Sequence, residues 1–186
     1  MTTLRVGVIG GGLIAQVVHL PEVAGLPERF ELSAIAEPNR ELGRALAAKY
    51  GIATTHETWQ SLIDSSEVDA VIVCAPNALH AQILDAALDR GIPSLVEKPV
   101  CLTSADAARL FERSRREGTH MQVGYMKKFD AAFARLLDDV ASGGGALHHA
   151  TAVTYDPGLG RFLDTSVIGA ATSFTRSAGI AENHRA

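Results

Sequence analysis

Over residues 1–124, short apolar runs alternate with longer amphipathic stretches. The runs LRVGVI (4–9), FELSAIA (30–36), DAVIVC (69–74), SLVE (94–97) and HMQVGY (120–125) predict strands. Val71, Ile72 and Val73 are apolar in succession, as expected of parallel strands covered on both faces. Between the strands, PNRELGRALAAKYG predicts a helix that opens at Pro38 and stops at Gly51. NALHAQILDAALDRG predicts a second, capped by Asn77 and ended by Gly91, with Leu79, Ile83, Leu84 and Leu88 on its inner face. TSADAARLFERSRREG repeats the layout, with Thr103 or Ser104 as cap and Gly118 as stop. Such alternation predicts an α/β fold built on a doubly wound parallel sheet.

The pattern changes after Tyr125. FDAAFARLLDDV (129–140) reads as an amphipathic helix, SGGG (142–145) as a break and ALHHATAVTY (146–155) as one strand. From Asp156 onward Gly, Ala, Ser and Thr dominate without periodicity. The expected organisation is one complete domain over 1–124 and the beginning of a second α/β domain over 125–186. A strand at 146–155 without its sheet would leave an open edge, through which two copies of the chain could associate.

Composition narrows the function classes. With 47% hydrophobic and 20% charged residues, the 186-residue chain has the makings of a packed core. A net charge of −4 gives no electrostatic reason to expect a nucleic-acid partner or an acidic membrane surface. Cys74 and Cys101 form neither a disulfide framework nor a zinc spacing, and no metal site is expected. No apolar window is long enough to span a bilayer, and MTTLRVGVIGGG lacks a signal-peptide layout. A cytoplasmic protein is expected.

The chemistry gathers at the predicted strand ends. In VGVIGGGLIAQ, Gly10-Gly11-Gly12-Leu13-Ile14-Ala15 matches G-x-G-x-x-G/A between a strand and a helix. Gly10 permits a tight turn, Gly12 leaves room for a pyrophosphate, and Ala15 allows close helix–strand packing. Leu13 and Ile14 open the helix whose free amides and dipole favour phosphate. Glu37 follows at the end of the second run, where a carboxylate accepts hydrogen bonds from adenosine ribose hydroxyls. This is the pattern of a Rossmann-type dinucleotide site. Glu37 favours NAD, because a carboxylate repels a 2′-phosphate. Arg40 could offset that charge and admit NADP, or serve only as a solvated helix residue.

CAPNALH (74–80) ends another predicted strand, placing Pro76 and Asn77 at the ligand crevice. His80, one turn later, reads equally as a cofactor contact or a structural helix residue. Glu97-Lys98-Pro99 closes the next strand. A lysine there can donate to a substrate hydroxyl or carbonyl and stabilise a developing alkoxide. Glu97 could orient it, and Pro99 fixes the backbone, with an appreciable cis fraction for such bonds. Position alone leaves Lys98 open between a catalytic role and a charged strand exit.

Taken together, GVIGGGLIAQ, CAPNALHAQILDAALDRGIPSLVEKPV and VGYMKKFDAAF resemble the Gfo/Idh/MocA oxidoreductases, the glucose-fructose oxidoreductase and inositol dehydrogenase family. The likeness covers roughly residues 4–140. It implies NAD(P) in an N-terminal Rossmann domain, with Lys98 as the substrate-facing lysine of the family's E-K-P motif. It further implies that Tyr125 begins the crossing into a second domain and that Lys127 and Lys128 hold often-basic positions. Met126 departs from the more usual asparagine. The implied reaction is hydride transfer between the nicotinamide and a secondary alcohol carbon of a sugar, polyol or related compound.

Family members supply an Asp/His pair for proton transfer from their second domain. No D-x-x-x-H spacing occurs after residue 140: Gly160 lies four after Asp156, and Ile168 four after Asp164. His148 and His149 are adjacent in the predicted strand and face opposite sides. His184 lies near the C-terminus, where a surface position is expected. Two readings therefore stand: an NAD(P)-dependent oxidoreductase, or a dinucleotide-binding module without turnover.

Overall fold

The computed structural model describes residues 2–143 and 151. Six strands form one parallel sheet in the order β3-β2-β1-β4-β5-β6. They are β1 (Leu4–Ile9), β2 (Phe30–Ala36), β3 (Thr54–His56), β4 (Ala70–Val73), β5 (Ser94–Val96) and β6 (Met121–Val123). The order reverses between β1 and β4, which opens a crevice at their C-terminal ends. The expected doubly wound sheet is present.

Two apolar layers hold it. On one face, the inward residues of β1 and β2 pack with Leu42 and Leu46 of α2 (Arg40–Tyr50) and with Leu20 of α1 (Leu20–Ala24). On the other, Val71, Val73 and Val96 meet α3 (Trp59–Asp64), α4 (Asn77–Asp89) and α5 (Ser104–Glu117). The centre of the sheet is covered twice, which is why its strands read as unbroken apolar runs.

Several expectations are corrected. β3 was not predicted: Thr54-Thr55-His56 is a polar edge strand paired only to β2, so no apolar run marks it. α3 is likewise absent from the sequence reading, being six residues long and too short to display a helical period. Asn77 does not cap α4; the extended Pro76 holds the cap position with no side-chain hydrogen bond, and Asn77 is the first helical residue. Pro38 lies outside α2, whose cap is Asn39, its side chain accepting from the Glu41 and Leu42 amides. The buried stripe of α4 contains His80 at 0% exposure, while Leu79 is only partly buried. Thr103 does cap α5, and Gly51 and Gly118 end their helices in the left-handed region, as expected.

After β6 a short 3₁₀ turn (Met126–Phe129) leads into α6 (Ala131–Ser142), capped by Asp130. Phe133, Leu136, Leu137 and Val140 of α6 remain exposed. The strand expected at 146–155 and both His148 and His184 lie outside the described residues, Thr151 excepted. No helix among the described residues is long and apolar enough to cross a membrane.

An ion-pair cluster joins α4 to α5. Asp85 binds both terminal nitrogens of Arg109, at 2.6 and 2.9 Å, and Arg113 Nη1 at 3.2 Å. The hydrogen bonds from Arg109, chiefly, hold the Asp85 carboxyl below the usual carboxylate range. A depressed folded-state value means stability that is present above about pH 4 and lost as pH falls toward that lower value. Between about pH 5 and pH 3, urea unfolding of Asp85→Asn should therefore lose less stability than the parent chain. Equal losses would remove Asp85 from the acid response.

Candidate functional site

The site is assembled where β1, β2, β4 and β5 leave the sheet. β1 ends in the glycine turn. Gly10 has φ +94°, and a Cβ there would fall 2.7 Å from the Cys74 carbonyl oxygen. That position admits only glycine because two strand exits touch. Gly12 differs: a Cβ built on it meets nothing within 4 Å. Nothing in the fold itself demands glycine at 12, so the open space is free for a ligand. Helical residues begin at Leu13 and Ile14 and run through a π-type turn at Ala15–His19 into α1. Ala15 is fully buried against the sheet, and Ile14 is exposed at the mouth.

Glu37 braces this turn. Its Oε2 accepts from the Gly11 amide at 2.8 Å and its Oε1 from the Asn39 amide at 2.9 Å. A carboxylate offers about four lone-pair directions, so two remain for further donors such as ribose hydroxyls. Arg40 is exposed and paired with Glu57, Nη2 to Oε1 at 2.6 Å. Gln16, unremarked in the sequence, is buried and donates to the Gly11 carbonyl at 2.7 Å, which fixes the back of the turn. Its Oε1 has no partner among the described residues.

Pro76 and Asn77 are exposed at the start of α4, beyond the C-terminal end of β4, the strand beside β1. His80 is not presented to a ligand. Its Nδ1 lies 2.8 Å from the Pro99 carbonyl oxygen and Nε2 2.9 Å from that of Ala75, with the ring wholly buried. The ring ties the loop after β4 to the loop after β5. Of the two readings left open for His80, the geometry supports the structural one.

Lys98 and Pro99 are exposed, and the peptide between them is cis. Lys98 has no ion-pair partner among the described residues, so its ammonium is free to meet a ligand. Glu97 does not hold that ammonium. It is partly buried and bonded instead to His19, Nε2 to Oε1 at 2.8 Å, with a longer contact from the Lys98 amide at 3.3 Å. No local pattern marks His19, because its partner is 78 residues away. Cys74 sits beside this carboxylate; burial first, and the Glu97 charge second, push its thiol up to about 12. Cys74 is thus an inert small hydrophobe, as expected. No cluster of metal-ligating side chains occurs among the described residues.

The residues present fit a dinucleotide: an open glycine turn before a helix start, and a braced carboxylate at the end of β2. The profile of the "Oxidoreductase family, NAD-binding Rossmann fold" (GFO_IDH_MocA) matches residues 4–125. The chain belongs to the Gfo/Idh/MocA family. Its similarity to the rhizopine catabolism protein MocA of Rhizobium meliloti is 33% identity over 143 residues, 77% of this chain and 44% of that protein. Inositol 2-dehydrogenase 1 of Saccharopolyspora erythraea is 33% identical over 152 residues, 79% of this chain and 45% of the enzyme. Among solved structures, a 3-ketoreductase from Actinomadura kijaniata, in complex with TDP-benzene and NADP, superposes with TM-score 0.69 at 30% identity, covering 77% and 43% of the two chains. The scyllo-inositol dehydrogenase of Lactobacillus casei, TM-score 0.70 at 21% identity over 76% and 42%, shares the fold. This Gfo/Idh/MocA chain spans half or less of the length of the curated relatives it matches.

Proposed function

We propose that this chain is the cofactor-binding part of an NAD(P)-dependent oxidoreductase that oxidises a secondary alcohol of a sugar, polyol or related small molecule. The observation that carries this reading is the convergence of the open Gly12 turn, the braced Glu37 and the free Lys98 on one end of the sheet. Residues 1–124 form the dinucleotide-binding domain in this reading, and a substrate domain begins at 125. Gly10, Gly12, Leu13 and Ile14 face the pyrophosphate, Glu37 the adenosine ribose, and Pro76 and Asn77 the opposite wall.

Bound NAD supplies the hydride acceptor. Lys98 donates a hydrogen bond to the substrate oxygen and stabilises negative charge as it develops there. Glu97, held by His19, fixes the strand exit from which Lys98 projects. NAD is preferred to NADP because Glu37 would face a 2′-phosphate. A cytoplasmic setting agrees with two free thiols, Cys74 and Cys101. Association of two copies through residues 146–155 completes the proposal.

The test is a calorimetric titration of the 186-residue chain with NAD and with NADP. Saturable NAD binding is expected; binding of neither would sink the proposal. Lys98→Ala should leave NAD affinity within about twofold while lowering NADH formation on sugars and polyols by at least about 100-fold. A second reading is a dinucleotide-binding module without turnover. Saturable NAD binding with no NADH formed across the panel would select it.

A further inference from the structure

We propose that Glu57 sets dinucleotide choice: by holding the Arg40 guanidinium in an ion pair, it keeps the adenosine end of the site from accepting a 2′-phosphate. The inference rests on the cofactor reading above and adds a determinant from a different loop. β2 and β3 pair in parallel with Ala36 opposite His56, and the Glu37 amide donates to the His56 carbonyl at 2.9 Å. Residues 37–40 and residue 57 therefore leave the sheet side by side. Glu37, whose carboxylate is braced by the Gly11 and Asn39 amides, marks the ribose position. Arg40, the first residue of α2, pairs through Nη2 with Glu57 Oε1 at 2.6 Å.

Charge decides the consequence. Glu37, Arg40 and Glu57 together carry one net negative charge at this edge. NAD presents a neutral hydroxyl here, whereas NADP presents a phosphate with a charge between about −1.5 and −2. A guanidinium can grip such a phosphate with two parallel N–H bonds, but only when its fork is unoccupied. Glu57 occupies it. Because both partners are more than half exposed, the restraint is mild and responsive to salt. Removing Glu57 frees the fork and brings the local charge to zero, without touching the Glu37 oxygens that serve NAD.

The experiment titrates NAD and NADP into the parent chain, Glu57→Gln, Arg40→Gln and the double variant, at low and at moderate salt. In Glu57→Gln, NADP affinity should rise about five- to tenfold at low salt and less at moderate salt. NAD affinity should stay within about twofold, and it reports whether the site is intact. In the Arg40→Gln background the gain from Glu57→Gln should fall below about twofold, since the freed guanidinium is the agent. An unchanged NADP affinity in Glu57→Gln overturns the inference, as does an equal gain with Arg40 absent. If the parent chain binds neither dinucleotide, the cofactor reading fails first and this inference falls with it.

Discussion

Replacing Gly12 by valine is expected to weaken NAD binding by at least about 30-fold, roughly 2 kcal/mol, while leaving the fold as stable as before. The two halves of that result have separate causes. A Cβ at Gly12 meets no protein atom within 4 Å, so a side chain there disturbs no packing. The same space lies at the start of a helix, where a pyrophosphate must approach the backbone closely, and two methyl groups would fill it. Gly10→Val is the informative contrast. Its φ of +94° and its 2.7 Å approach to the Cys74 carbonyl oxygen force a β-branched residue into both strain and a backbone clash. That variant should unfold several degrees earlier, whatever its ligand. Thermal melts and NAD titrations on both variants separate the cases. NAD affinity within about threefold of the parent in Gly12→Val would mean the open space is not the ligand's path.

The second large effect is structural. His80→Leu should cost about 2–4 kcal/mol, seen as a lower urea midpoint at unchanged slope. Leucine fills most of the imidazole's volume, so the loss is not mainly a cavity. It comes from losing the ring N–H donor, which leaves the Ala75 and Pro99 carbonyl oxygens facing an apolar side chain. A loss below about 1 kcal/mol would mean that solvent reaches both carbonyls once the ring is gone. Those carbonyls belong to the two loops flanking the crevice, so His80 sets the spacing of the site from behind.

The contrast between Gly12 and His80 shows how unevenly the site was legible in the chain. The glycine turn could be read at once because its chemistry is local: three glycines and Ala15 within six positions, following an apolar run. Glu37 was legible too, since a parallel strand ending at Ala36 carries the next residue to the same edge as the turn. His80 was ambiguous because residue type and position cannot say whether a helical histidine faces solvent or core. Only the packing of α4 turned it inward, to 0% exposure, onto acceptors 5 and 19 residues away. Glu97 was assigned to its sequence neighbour Lys98, yet its carboxylate turned to His19, brought near by the π-type turn after the glycines. Nothing beside Arg40 in the chain announces its partner Glu57, which follows a polar edge strand that shows no hydrophobic period.

By itself, then, the order of residues determined the β-α alternation, the doubly wound sheet, the helix stops at Gly51 and Gly118, and the glycine turn after β1. All of these arise from short-range causes: side-chain period, capping, and the left-handed backbone that glycine tolerates. The tertiary structure alone decided which side chains share a partner: His19 with Glu97, Arg40 with Glu57, His80 with two loop carbonyls. The reason is geometric. A parallel sheet gathers the ends of strands far apart in sequence onto one edge, and hydrogen bonding there follows distance in space, which no local pattern encodes.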